Sequence, residues 1–131
     1  MKKTIGVHHV GFAVADLNET TKFFQEGLGF DVLGEKPDYP AKFVSDGNIM
    51  VTLWQTEEGA TPFDRRKNIG LHHLALKVES REALDDVYNT VKDYPGASIE
   101  FSPELLGNGP RMHMMCNEPG GIRIEFIWMG E

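Results

Sequence analysis

The sequence predicts an α+β fold: two tandem βαβββ modules whose strands form a curved mixed sheet cup. Three observations carry this expectation. First, His8-His9-Val10-Gly11-Phe12-Ala13-Val14 recurs as His72-His73-Leu74-Ala75-Leu76-Lys77-Val78, and an internal repeat decides the architecture before any local signal does. Second, each copy is followed by a segment of helical periodicity. Third, the halves close alike, since Asn48-Ile49-Met50-Val51-Thr52-Leu53-Trp54-Gln55 aligns with Gly121-Ile122-Arg123-Ile124-Glu125-Phe126-Ile127-Trp128.

After the first strand, Asn18 can cap a helix over about 17–28 that carries Phe23, Phe24 and Leu28, with Gly29 as its stop. Strands over about 30–34, 41–46 and 49–55 follow, separated by Pro37, Pro40 and the Asp46-Gly47-Asn48 turn. The polar stretch after Gln55 holds Pro62 and Arg65-Arg66-Lys67 and reads as a connection only. Module one is therefore placed at about 5–56, the linker at 57–69 and module two at 70–129, within one domain over 1–131. In the second module Ser80 caps a helix over about 80–93. Its stripe of Ala83, Leu84, Val87, Tyr88 and Val91 faces inward, and Pro95-Gly96 ends it. Strands at about 97–101, 111–116 and 122–128 complete the module, with a longer loop over 102–110.

A chain of 131 residues can bury roughly two thirds of its unfolded surface, enough for a core without staples. The single cysteine, Cys116, forms no intrachain disulfide, which suits a reducing compartment, so the expected location is cytoplasmic. Met1-Lys2-Lys3 is followed by no signal-peptide pattern, and no stretch reaches the length of a membrane span. A net charge of −7, with no basic run beyond residues 65–67, argues against nucleic acid as a partner.

Side chains alternate along a strand, so His9, Gly11 and Ala13 share one face, as do His73, Ala75 and Lys77. Small neighbours leave room before His9 and His73, which are read as facing a cavity. His8 and His72, in phase with large apolar residues, are read as structural, in the layer packed on the helices. Glu125 lies between Ile124 and Phe126, where an unpaired carboxylate is costly to bury. Something cationic is expected to meet it. Two imidazoles and a carboxylate suit non-haem Fe(II), and equally Zn, Ni, Mn or Co. On the penultimate strand Arg111, His113 and Met115 share a face, and Cys116 points the other way as a small buried hydrophobe.

The paired histidine strands, Asp16-Leu17 at the helix start, Gly27-Leu28-Gly29-Phe30, the Glu118-Pro119-Gly120-Gly121 turn and the Ile124-Glu125 ending resemble the vicinal oxygen chelate superfamily over nearly the whole chain. That superfamily includes glyoxalase I, methylmalonyl-CoA epimerase, fosfomycin-resistance thiol transferases, extradiol catechol dioxygenases and metal-free bleomycin-binding proteins. The resemblance implies the glyoxalase/bleomycin resistance/dioxygenase fold, with His9, His73 and Glu125 as the ligands of a divalent metal. It places Thr52 in the slot where glyoxalase I has a metal-binding Glu. A neutral hydroxyl is a poor donor and no base at neutral pH, which argues against true glyoxalase I activity and favours the three-ligand members' pattern. It also turns His113 and Arg111 toward the substrate, the first as a general acid/base and the second as a clamp for an anionic group. The loop at Gly107-Asn108-Gly109-Pro110 lacks the lysine and serines of a fosfomycin site. A homodimer is implied as well. Two functions remain in view: a metal-dependent enzyme, lyase, isomerase or dioxygenase, with the metal as Lewis acid on a small oxygen-bearing substrate; or a non-catalytic protein that binds a drug or metabolite.

Overall fold

The computed structural model describes all 131 residues. Two compact units, Met1–Ala60 and Thr61–Glu131, each have their own sheet and core. The first contains β1 (His9–Val14), α1 (Leu17–Lys22), β2 (Asp31–Lys36), β3 (Ala41–Ser45) and β4 (Met50–Gln55). The second contains β5 (Leu74–Lys77), α2 (Arg81–Lys92), β6 (Ser98–Leu105), β7 (Met112–Asn117) and β8 (Arg123–Trp128). The sheets are four-stranded and ordered β1-β4-β3-β2 and β5-β8-β7-β6. In each, the first strand runs parallel to the last and the other pairs are antiparallel.

In the first unit Phe12, Val14, Val44, Val51 and Leu53 are buried on the face that meets Leu17, Phe23, Phe24 and Phe30. The alternate residues of β1, His9, Gly11 and Ala13, are exposed, as expected for a sheet with one packed and one open face. The helix starts at Leu17 as expected, but its cap differs. Asp16 is the cap, its Oδ1 accepting from the Glu19 N–H at 3.0 Å, and Asn18 lies inside the helix. Past Lys22 the chain widens over Phe23–Gly27 into a π-type turn, where the Leu28 N–H donates to the Phe23 carbonyl at 3.1 Å. Gly29 then takes φ +78°, and the Phe30 N–H reaches back to the Phe24 carbonyl at 2.9 Å. This is the left-handed closure for which glycine is suited.

In the second unit Ser80 caps α2 as expected, its Oγ accepting from the Ala83 N–H at 3.0 Å. Leu84 and Val91 are fully buried, whereas Ala83, Val87 and Tyr88 are only partly covered. The core continues through Leu74, Leu76, Met114, Cys116, Ile124 and Phe126. β6 extends to Leu105, across residues expected to be loop, with irregular register between Phe101 and Glu104. The linker is also more than a connection. The Asp64 N–H donates to Asn68 Oδ1 at 2.7 Å, and Arg65 Nη2 approaches Glu100 Oε1 at 3.9 Å. No helix is long and apolar enough to cross a membrane.

Candidate metal centre

The register of the parallel strand pairs makes the two halves comparable residue by residue. Ala75 lies opposite Glu125, as Gly11 lies opposite Thr52. Thr52 and Glu125 thus hold equivalent places on the open faces of their sheets.

In the second unit Glu125 gathers two imidazoles. Its Oε1 is 3.3 Å from His73 Nε2 and its Oε2 is 2.5 Å from His113 Nδ1. The Glu125 and His113 side chains are each only 13% exposed, so this carboxylate depends on what the imidazoles present to it. The cation expected near Glu125 is not Arg123, whose guanidinium turns away to grip Glu100, with Nε to Oε1 at 2.9 Å and Nη2 to Oε2 at 2.5 Å. That pairing holds the Glu100 carboxyl below its ordinary pKa and raises the pKa of Arg123. Fitness for a divalent ion rests on the donor chemistry: an anionic oxygen and an imidazole nitrogen face each other beside the small side chain of Ala75, on a face without packing helices. No three His, Cys, Asp or Glu side chains converge at ligand spacing. His73 and Glu125 come together within one unit, while His9 is exposed and belongs to the other.

His8 and His72 are not in the packed layer. Both are exposed, because β1 opens at His9 and β5 at Leu74, and strand alternation says nothing about residues ahead of the first pair. Each instead stands edge-on to the histidine after it. The ring centroids are 5.1 Å apart and Nδ1 faces Nδ1 at 2.8 Å in both halves. Local desolvation, and after it the Arg123 guanidinium, lower the pKa of His72.

Residues 6–126 match the family model of the Glyoxalase/Bleomycin resistance protein/Dioxygenase superfamily. The chain belongs to this superfamily. It is 34% identical over 98 residues to a catechol-2,3-dioxygenase of Bacillus subtilis (strain 168), a match covering 72% of this chain and 33% of that protein, so the chain spans about a third of that relative. It is 26% identical over 147 residues to a 2-epi-5-epi-valiolone epimerase of Actinomyces sp, covering 94% of this chain and 79% of that one. The fold matches the crystal structure of a glyoxylase/bleomycin resistance protein/dioxygenase domain from Frankia sp. EAN1pec with a TM-score of 0.83, at 23% identity over 97% of this chain and 99% of that one.

The other site candidates of this superfamily member fall in three places. His113 lies on β7 beside Glu125, its ring 4.8 Å from that of Phe101 and its Nε2 3.8 Å from Glu104 Oε1. Glu104 carries no sequence signal, because it lies in the segment expected to be loop. Arg111 precedes β7 and is exposed, and its carbonyl accepts from the Leu106 N–H at 2.8 Å. Thr52 is 4% exposed, with Oγ1 accepting from Trp54 Nε1 at 2.9 Å. A Cβ on Gly11 would stand 3.0 Å from that oxygen. Cys116 is fully buried, and burial followed by the Glu118 charge pushes its thiol up to about 12, which suits a packing residue and not a nucleophile.

Thr52→Ala removes the acceptor of the Trp54 N–H and nothing of the Glu125 cluster. The expected outcome is a stability loss of about 1 kcal/mol in denaturant titration, with metal content unchanged by elemental analysis. Loss of metal in this variant counts against the placement of Thr52 outside the ligand set.

Proposed function

We propose that this chain is a metal-dependent enzyme of the vicinal oxygen chelate type, acting on a small oxygen-bearing substrate, with His9, His73 and Glu125 as the ligands of a divalent cation. The observation that supports this most is the nearly buried Glu125 carboxylate facing His73 Nε2 at 3.3 Å on the open side of its sheet. When bound, the cation, Fe, Zn, Ni, Mn or Co, supplies Lewis acidity toward the substrate's oxygens.

The chain's own groups do the rest. His113, tied through Nδ1 to Glu125, holds or releases a proton at Nε2, the nitrogen on the side of Glu104. Arg111, exposed ahead of β7, orients an anionic substrate group through its planar fork of donors. Thr52, whose oxygen already accepts from Trp54, keeps its hydroxyl proton to donate. One relative is a dioxygenase and another an epimerase by name, which supports a lyase, isomerase or dioxygenase reaction here. Residues 1–131 act as one domain in this reading, as a homodimer in the reducing cytoplasm.

A second reading, a non-catalytic protein that holds a drug or metabolite, draws on the aromatic surface of the first unit. There Trp54 meets Tyr39 at 5.1 Å and Phe43 at 6.0 Å between ring centroids, a lining suited to a flat apolar ligand.

Metal analysis of protein purified without chelators separates the two. The expected result is one divalent ion per chain, lost when either His9 or His73 is replaced by Ala. A chain that takes up none of the five candidate metals at micromolar concentration supports the binding protein instead.

A further inference from the structure

The His8·His9 and His72·His73 pairs have the same geometry, but only one of them has a third partner. Arg123 Nη1 stands 3.3 Å from His72 Nδ1, the same nitrogen that faces His73 Nδ1 at 2.8 Å. The first half has no counterpart, because the residue opposite His9 is Met50. A guanidinium only donates hydrogen bonds, and a neutral imidazole has one donor and one acceptor nitrogen. Glu100 grips the same guanidinium through Nε and Nη2, which leaves Nη1 aimed at the imidazole.

Two arrangements of the neutral pair are possible. In one, His72 Nδ1 carries the proton and donates to His73 Nδ1; His73 then carries its proton on Nε2 and donates it to Glu125. That arrangement satisfies Glu125 but leaves no lone pair for a cation, and it sets the His72 N–H against the Arg123 N–H. In the other, the one lone pair of His72 Nδ1 is shared by the Nδ1–H of His73 and the Arg123 N–H. His73 Nε2 is then an unprotonated lone pair 3.3 Å from a carboxylate oxygen, two acceptors with no hydrogen between them. Such a contact is relieved by a cation shared between the two, and without one it is offset by the Arg123 N–H and the His73 Nδ1–H both finding an acceptor at His72.

Accepting the ligand assignment made above, we propose that Arg123, held by Glu100, is a positioning residue that selects the Nδ1–H tautomer of His73 and so turns its Nε2 lone pair toward the metal position. The Arg123–Glu100 ion pair therefore acts on the metal centre from outside it, through His72. An outer hydrogen-bond partner that fixes a ligand histidine's tautomer typically contributes about 10- to 100-fold in metal affinity. The His8·His9 pair, with no guanidinium, has no such preference and serves as a control within the same molecule.

The test uses the full-length chain labelled with nitrogen-15 at histidine. Long-range proton–nitrogen spectra of the metal-free protein, above the usual imidazole titration range, report which nitrogen of each ring is protonated. The wild type is expected to show His73 protonated at Nδ1. Arg123→Met is expected to move that proton to Nε2, to leave the His8 and His9 signals in place, and to weaken Zn(II) or Co(II) binding about tenfold or more. An unchanged His73 tautomer in Arg123→Met overturns the inference and leaves the ligand assignment standing. A tautomer that moves as expected in a chain whose wild type binds neither ion overturns the ligand assignment, and with it the metal-directed role of Arg123.

Discussion

Glu125→Gln lowers divalent-metal affinity by about a hundredfold or more, at least the upper end of what losing a mere outer partner costs. The substitution keeps the shape of the side chain and removes its charge. Glu125 is the only anionic member of the proposed ligand set, and its two oxygens already divide their attention between His73 and His113. A carboxamide has one acceptor oxygen and a donating nitrogen, so it cannot present acceptor atoms to both sides. Thermal or denaturant unfolding with added metal gives a second readout of the same change. At a free metal concentration a hundred times the wild-type dissociation constant, the wild type gains about 2.7 kcal/mol, whereas a variant binding a hundredfold more weakly gains only about 0.4 kcal/mol. Direct titration calorimetry measures the affinity itself. Full metal occupancy in Glu125→Gln removes this residue from the ligand set, and the enzyme reading falls with it.

The part of this centre that could be read from the sequence is the part that depends on repetition. His9 and His73 stand at equivalent places because the two modules repeat, and Glu125 was recognisable as a carboxylate set among apolar neighbours on a strand. The register bears out the equivalence of Thr52 and Glu125, since both lie opposite a small residue of the parallel strand. What escaped is whatever depends on where elements begin and end. Alternation points His8 and His72 inward, but it starts only at the first paired residue. Asn18 and Asp16 are both good caps, and the choice between them turns on a single hydrogen bond to the Glu19 N–H. The π-type turn over Phe23–Gly27 has no sequence mark, since a helix interrupted by one extra residue per turn keeps almost the same apolar spacing.

β6 shows the same limit with a functional consequence. Ser102, Pro103 and the glycines beyond look like loop, and proline is a poor strand residue because it lacks an N–H. In the sheet order, however, β6 is the outermost strand, where one edge needs no partner and proline is tolerated. The extension carries Glu104 to the position opposite His113. Similarly, Glu100 and Arg65 carry no local signal of partnership. The Glu100–Arg123–His72 chain links a strand, another strand and a residue ahead of a third, and only the folded register brings those together.

Phe24→Ala is expected to destabilise the chain by about 3–5 kcal/mol, the cost of emptying a large aromatic site in a core that collapses only partly. Phe24 is wholly buried, and its ring packs edge-on against Phe23 at 5.9 Å and Phe30 at 5.2 Å between centroids. Those neighbours sit on the π-type turn and just past Gly29, so the lost contacts are the ones that close the C-terminal end of the helix. The magnitude matters because a core of some 60 residues rarely supplies more than about 3–5 kcal/mol by itself. If Met1–Ala60 stood alone, the substitution would leave it largely unfolded while the second unit kept its structure. If 1–131 is one cooperative domain, both halves share the loss. Hydrogen exchange read separately on β4 and α2 distinguishes the cases. The expected result is a parallel fall in protection at Val51 and Leu53 and at Leu84 and Val91, residues that are all buried in their own cores. Protection lost in β4 alone, with α2 unchanged, makes the two modules independent folding units.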